Sequence, residues 1–232
     1  VQVIETFEAS NFVKSIETNL ARVYKVVQMN RPYLDYYKNN VIHLFLQISF
    51  ISSILNAHEG DRLSVADLNT EIDSLKSLFA NEFIFADQFW NEKTYNEALR
   101  YLSVVREIKI NDNQIELSKR HHVWIDINRY TITNFFEAYY SFFDYILNQM
   151  SNNEKLSEKD LLKEVLKYAW DLFEISIIQK PESISKDIYR NVLKYAIENE
   201  LMIMSEKEYL LNMHKLEEAK LIRKKLFEYI HS

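Results

Sequence analysis

The chain has 232 residues, 47% hydrophobic and 14% aromatic, with no cysteine and a formal net charge of −6. That length holds a sizeable core. It also excludes disulfides, thiolate zinc sites and a thiol nucleophile, and the acidic balance argues against a nucleic-acid partner. Gly60 is the sole glycine, and Pro32 and Pro181 are the only prolines. Dinucleotide and P-loop phosphate cradles each need several glycines, so both are excluded. The absence of cysteine accords with a reducing, intracellular compartment. The sequence opens on Val1, without a basic segment ahead of an apolar run. It reads as a fragment or processed chain rather than a signal peptide.

In chain order, Phe12, Ile16, Leu20, Val23 and Val27 recur at helical spacing, which predicts a helix from Ser10 to Gln28. Asn30-Arg31-Pro32 breaks it. A second helix runs from about Leu34 to Ala57 and ends at Gly60. Ser64 caps a third through Phe79, with Val65, Leu68, Ile72, Leu75 and Leu78 on one face. Asp87 to Arg106 forms a fourth, with Phe89, Trp90, Tyr95, Leu99 and Leu102 turned inward. Ile108-Lys109-Ile110 and Ile115-Glu116-Leu117 alternate about an Asn111-Asp112-Asn113 turn, a short β-hairpin. Helix, helix, hairpin is the order of a winged-helix unit. Thr133 to Met150 is the most aromatic helix, and Ser151 to Lys155 is a polar linker. Ser157 caps a helix to about Ile178. Pro181 separates it from Ser185 to Glu198. Leu201 to Met204 reads as a strand echoing the first unit, without a strict repeat. Leu216 to Ile230 closes the chain as an amphipathic helix.

Four features are candidates for chemistry. Residues 39–57 carry no formal charge over nearly the ~20 residues that span a bilayer. Polar groups interrupt them, which favours a buried central helix. On it Asn40, His43 and Gln47 would share one face, as a hydrogen-bonded network or as a contact to a ligand or another domain. His121 and Asp126 have a His-x-x-x-x-Asp spacing, in which an aspartate orients a histidine base; without the glycine-bearing and basic blocks that accompany it in glycerolipid acyltransferases, it reads as coincidence. The remaining histidines are scattered, so no metal site is expected. The basic residues of 215–225 could lie on an anionic membrane, or form an ordinary solvated face diluted by Glu217, Glu218 and Glu228.

The segment Tyr36-Tyr37-Lys38-Asn39-Asn40-Val41-Ile42-His43-Leu44-Phe45 resembles a stretch downstream of the catalytic domain in membrane-associated glycerol-3-phosphate and dihydroxyacetone-phosphate acyltransferases. Three later stretches are similar to that family in the same order: Glu97 to Leu102, Asn134 to Tyr139, and Arg190 to Ile197. The resemblance covers roughly residues 30–232. The block at Asn134 lacks the family's proline, and Ile48 also departs from it. The resemblance implies a parent enzyme that acylates the first position of glycerol 3-phosphate from acyl-CoA or acyl-carrier protein. The family's catalytic and phosphate-gripping residues lie N-terminal to the region, so no catalytic residue carries over. Asn39 and His43 carry over only as packing or interdomain positions.

The expected fold is all-α: about eight helices, with one or two short β-hairpins in winged-helix-like units. Residues 1–232 form one helical domain, with a subdivision at 1–150 and 151–232 as a variant. No cofactor is expected. The implied partners are an N-terminal acyltransferase domain of the same parent, a membrane surface at its cytoplasmic side, and the acyl donor indirectly. The alternative reading is a helical protein-interaction or regulatory module without catalysis.

Overall fold

The computed structural model describes residues 2–19, 21–31, 33–34, 41–87, 90–118, 122–150 and 154–231. The chain divides into two compact units, Val1–Leu44 and Phe45–Ser232.

In the first unit, α1 (Gln2–Ala9) ends where Asn11 takes a positive φ of 58°. A hairpin follows, β1 (Val13–Glu17) and β2 (Arg22–Val26), instead of the helix expected over 10–28. The register pairs Val13 with Val26, Ile16 with Val23 and Glu17 with Arg22. Helical spacing of the apolar residues misled, because Val13, Ile16, Thr18, Val23 and Val26 are β-branched and fit a pleated strand better than a helical turn. Thr18 closes the turn, its Oγ1 accepting from Ala21 N at 3.0 Å and donating to Ala21 O at 2.6 Å. Phe7 and Phe12 meet edge to face at 5.9 Å, joining α1 to the hairpin.

The second unit contains α2 (Leu46–Ala57), α3 (Val65–Leu78), α4 (Glu92–Val104), α5 (Val123–Tyr130), α6 (Thr133–Asn148), α7 (Glu158–Glu174), α8 (Lys186–Glu198) and α9 (Leu216–His231). Its strands are β3 (Leu63–Ser64), β4 (Ile108–Asn111), β5 (Gln114–Leu117), β6 (Leu156–Ser157), β7 (Met202–Ser205) and β8 (Glu208–Leu211). The molecule is mostly helical, with 14% strand in three small sheets, so the all-α description holds only coarsely. The helix expected from 34 to 57 is interrupted, and its residues 35–40 lie outside the described ones. Ile42–Leu44 is a 3-10 turn and α2 begins at Leu46.

Two halves of the second unit repeat one plan. Each runs helix, two-residue strand, two helices, hairpin, helix. The sheets are ordered β3-β5-β4 and β6-β8-β7. Ser64 and Ser157 each cap the following helix, accepting from Asp67 N at 3.0 Å and Asp160 N at 3.2 Å. Arg106 and Glu200 both adopt positive φ on leaving their helices. Glu107 N then donates to Leu102 O, as Leu201 N does to Ala196 O. Asp112-Asn113 and Glu206-Lys207 each hold two positive φ angles, the geometry of a type I′ turn. The closing helix packs on the opening one in both halves, α5 on α2 and α9 on α6.

The core is continuous across the halves. Phe79, at the end of α3, meets Phe50 of α2 at 5.9 Å and Phe136 and Tyr139 of α6 at 5.3 and 4.7 Å. Such pairs contribute about 0.5–1.5 kcal/mol each beyond area burial. Tyr229 of α9 stacks on Phe136 at 5.1 Å and donates from its hydroxyl to Glu71 of α3 at 2.8 Å.

Candidate functional site

Buried carboxylates mark where this fold departs from simple packing. Glu107 enters β4 and is 1% exposed, whereas the matching position in the second half is the apolar Leu201. Its Oε2 lies 3.0 Å from His122 Nδ1, and its Oε1 accepts from Trp124 N at 3.2 Å. A carboxylate at a helix N-terminus satisfies an orphan donor and opposes the helix dipole. Glu107 thereby pins the start of α5.

Glu137 sits mid-helix in α6, also 1% exposed. It accepts from Gln179 N at 2.9 Å and Lys180 N at 2.8 Å, holding the α7–α8 connection. Burial pushes its pKa up to about 7, against those two donors and the Lys180 charge, which favour the ionised form. Glu82, between α3 and α4, is likewise raised to about 7 by burial, opposed by bonds from Asn191 and Tyr139. Asp144 gathers Tyr168 Oη at 2.5 Å, Asn148 Nδ2 at 2.8 Å and Arg223 Nη1 at 3.2 Å. Apart from the Asn148 bond, which lies within α6, these contacts bind one part of the fold to another.

Among the described residues, those singled out in the sequence do not converge. Asn39, Asn40, His121 and Phe89 lie outside the described residues. His43 is exposed in the 3-10 turn. Gln47 lies on α2, half-buried, donating to Thr94 Oγ1 of α4 at 3.0 Å. The shared polar face of 40, 43 and 47 required one helix through all three, and the break before Leu46 removes it. The buried polar residues of that helix are instead Ser49, Ser52, Ser53 and Asn56. Asp126 accepts from Arg129 Nε at 3.0 Å, an engagement within its own helix. The rings of His58 and His122 each meet a carboxylate, Glu71 or Glu107, and that of His231 packs on Phe227 at 4.3 Å, rather than on a nucleophile. Among the described residues no three potential ligands gather for a metal. No helix among the described residues is long and apolar enough to cross a membrane.

Sequence reasoning missed Glu107, whose signal was the contrast with Leu201 once the halves are aligned. It noticed Glu137 only as part of the Asn134–Tyr139 block. It also missed the surface of α5, where Val123, Trp124, Ile127 and Tyr130 stand exposed on a helix buried along Ile125 and Arg129. Beside them Tyr101 of α4 meets Trp124 edge to face at 6.2 Å, and Val104 is 71% exposed. A concavity of about 280 Å³ lies in the other half, among Arg190, Leu193, Lys194 and Tyr209. Its cations are spoken for, Arg190 by Glu158 at 3.3 Å and Lys194 by Glu198 at 3.8 Å.

The sequence profile of the glycerol-3-phosphate acyltransferase C-terminal region matches residues 1–205. The chain belongs to that family. Comparison with curated proteins gave no match. In this acyltransferase C-terminal region the similar blocks have visible structural tasks. Glu97–Leu102 lies on α4 ahead of strand β4, and Asn134–Tyr139 carries Glu137 and the Tyr139 hydroxyl that reaches Glu82 at 3.4 Å.

Proposed function

We propose that this chain is the helical C-terminal domain of a glycerol-3-phosphate 1-O-acyltransferase. It supports a separate catalytic domain that transfers acyl groups from acyl-CoA or acyl-carrier protein at the entry to phospholipid synthesis. The observation that carries this reading is the family match over residues 1–205. The buried carboxylates and the described histidine pairs support it, because they serve packing between elements rather than a nucleophile. The parent enzyme works inside the cell, peripherally on the cytoplasmic side of a membrane, and the chain by itself is inactive. Asn39 and His43 are interdomain positions.

Acylation of glycerol 3-phosphate, measured with the parent enzyme and with the 232 residues alone, tests the proposal. The parent is active and the isolated chain is not. In the parent, His43→Ala lowers the rate, while in the isolated chain it leaves the unfolding midpoint in place, since His43 is exposed. Acyl transfer by the chain alone, or an unchanged rate in the His43→Ala parent, counts against it. The second reading, a protein-interaction module without catalysis, draws on the exposed apolar residues of α5. A parent protein lacking acyl transfer altogether would favour that reading.

A further inference from the structure

We propose that the outer face of α5, with Tyr101 and Val104 of α4, is the surface on which the catalytic domain docks. The partner surface is apolar at its centre and carries carboxylates at its edge. This rests on reading the chain as the C-terminal domain of an acyltransferase.

The repeat supplies an internal control. Aligned on their hairpins, the halves match Ile125 of α5 with Ala219 of α9 and Ile132 with Leu226, all of them buried. The same alignment carries Val123, Trp124, Ile127 and Tyr130 onto Glu217, Glu218, Leu221 and Lys224. All eight are exposed. One position in one fold therefore presents two glutamates, a lysine and a single leucine in the second half and a wholly apolar, aromatic face in the first. Val104 matches Glu198 in the same way. The folding of a half does not demand the apolar version, because α9 packs on α6 without it. Contiguous exposed apolar area on a soluble domain marks a binding surface, and Trp and Tyr are the residues enriched as interface anchors.

Charge selects the occupant. Tyr130 is flanked by cations, with Arg129 Cζ at 4.6 Å and Lys180 Nζ at 4.9 Å from its ring centroid. Lys180, whose charge also acts on Glu137, and Arg100, next to Tyr101 in sequence, form no salt bridge among the described residues, while Arg129 pairs with Asp126 and donates to Tyr130 Oη, both of its own helix. In the second half the matching Arg223 crosses to Asp144 on α6. A second copy of this chain would oppose the same cationic edge to itself across a two-fold interface. Carboxylates on a different protein surface complement it. An α5 of eight residues offers little length for lying in a lipid interface.

The test places a photo-crosslinking amino acid at position 127 of the parent acyltransferase on its membrane, and separately introduces Ile127→Asp. Leu221→Asp, at the matching exposed position of α9, is the control. The expected crosslink is to a peptide of the catalytic domain. Ile127→Asp should lower acyl transfer roughly tenfold or more, as loss of an interface anchor does. Leu221→Asp should leave it unchanged, and both variants of the isolated chain should keep the original circular dichroism. A crosslink to lipid or to a second copy overturns the proposal, as does equal sensitivity at 127 and 221. Absence of acyl transfer by the unaltered parent would instead defeat the functional reading, and the crosslinked partner would still decide the surface.

Discussion

Glu137 shows how one buried side chain couples this fold to pH. Its carboxyl is raised from the ordinary carboxylate value to about 7 because burial penalises the charge more than two backbone N–H donors relieve it. The folded state therefore holds a proton that the unfolded chain has released, over the range from about pH 4.5 to 7. Stability from this group is full below the unfolded value and is lost as pH rises through 7. Glu82 acts in the same direction. Each pKa unit corresponds to about 1.4 kcal/mol, so the two together make urea unfolding measurably easier at pH 8 than at pH 5. In Glu137→Gln that slope shrinks, because one of the two titrating groups is gone. A variant with an undiminished slope would mean the carboxylate is ionised throughout. This residue was half legible: the sequence marks Glu137 as an acid inside an aromatic run, yet nothing local says which backbone it will clamp. Gln179 and Lys180 lie more than a helix away. His43 and Gln47 went the other way, paired by a helical spacing that the chain breaks at Phe45.

Among elements, helices that announce their start with a capping serine were placed correctly at that end, although the one expected to run to about Ile178 stops at Glu174. Ser64 and Ser157 cap α3 and α7 by accepting from Asp67 N and Asp160 N. Asn91 and Thr94 form a reciprocal capping box at α4, so that helix starts at Glu92, five residues after the expected Asp87. The 108–117 hairpin was also visible, since Asp112-Asn113 tolerates the two positive φ angles of its turn. The 202–211 hairpin was seen only as its first strand, because its turn is Glu206-Lys207, residues that do not favour that geometry. Both hold positive φ, 54° and 67°. Each such residue costs roughly 1–2 kcal/mol without the permissiveness of glycine. Lys207→Gly is therefore expected to raise the unfolding free energy by about 1 kcal/mol, after the added entropy of glycine in the unfolded chain. Guanidinium unfolding of the single variant checks this. A loss of stability would mean that Lys207 makes contacts outweighing its backbone strain. The first hairpin, Val13 to Val26, escaped notice because β-branched residues happened to fall three and four apart.

For the whole molecule, duplication is the organising fact, and it was legible only as an echo. The halves share burial positions and backbone turns but few identities beyond the two Ser-x-x-Asp-Leu starts, so a sequence comparison sees little. The halves are not independent. α9 closes the second half on α6 and also touches α2 of the first, and Tyr229 ties it to Glu71. Breaking either half exposes the shared core around Phe79, so Phe45 to His231 should open as one cooperative unit. The first unit offers a contrast within the same chain. Every residue of β2 is exposed, and a two-stranded hairpin by itself is marginal in water. Native-state amide exchange separates these regimes. Amides of Val13 to Val26 should exchange by local opening of low free energy. Those of α2 and α6 should exchange only with global unfolding, at one common free energy that falls in parallel as denaturant is added. Should α6 remain protected while α2 exchanges freely, the halves would be separate folding units, and the bridge made by α9 would contribute little to cohesion. Should the hairpin amides match α6, the pairing of β1 with β2 would be stabilised by more than the contacts within its own unit.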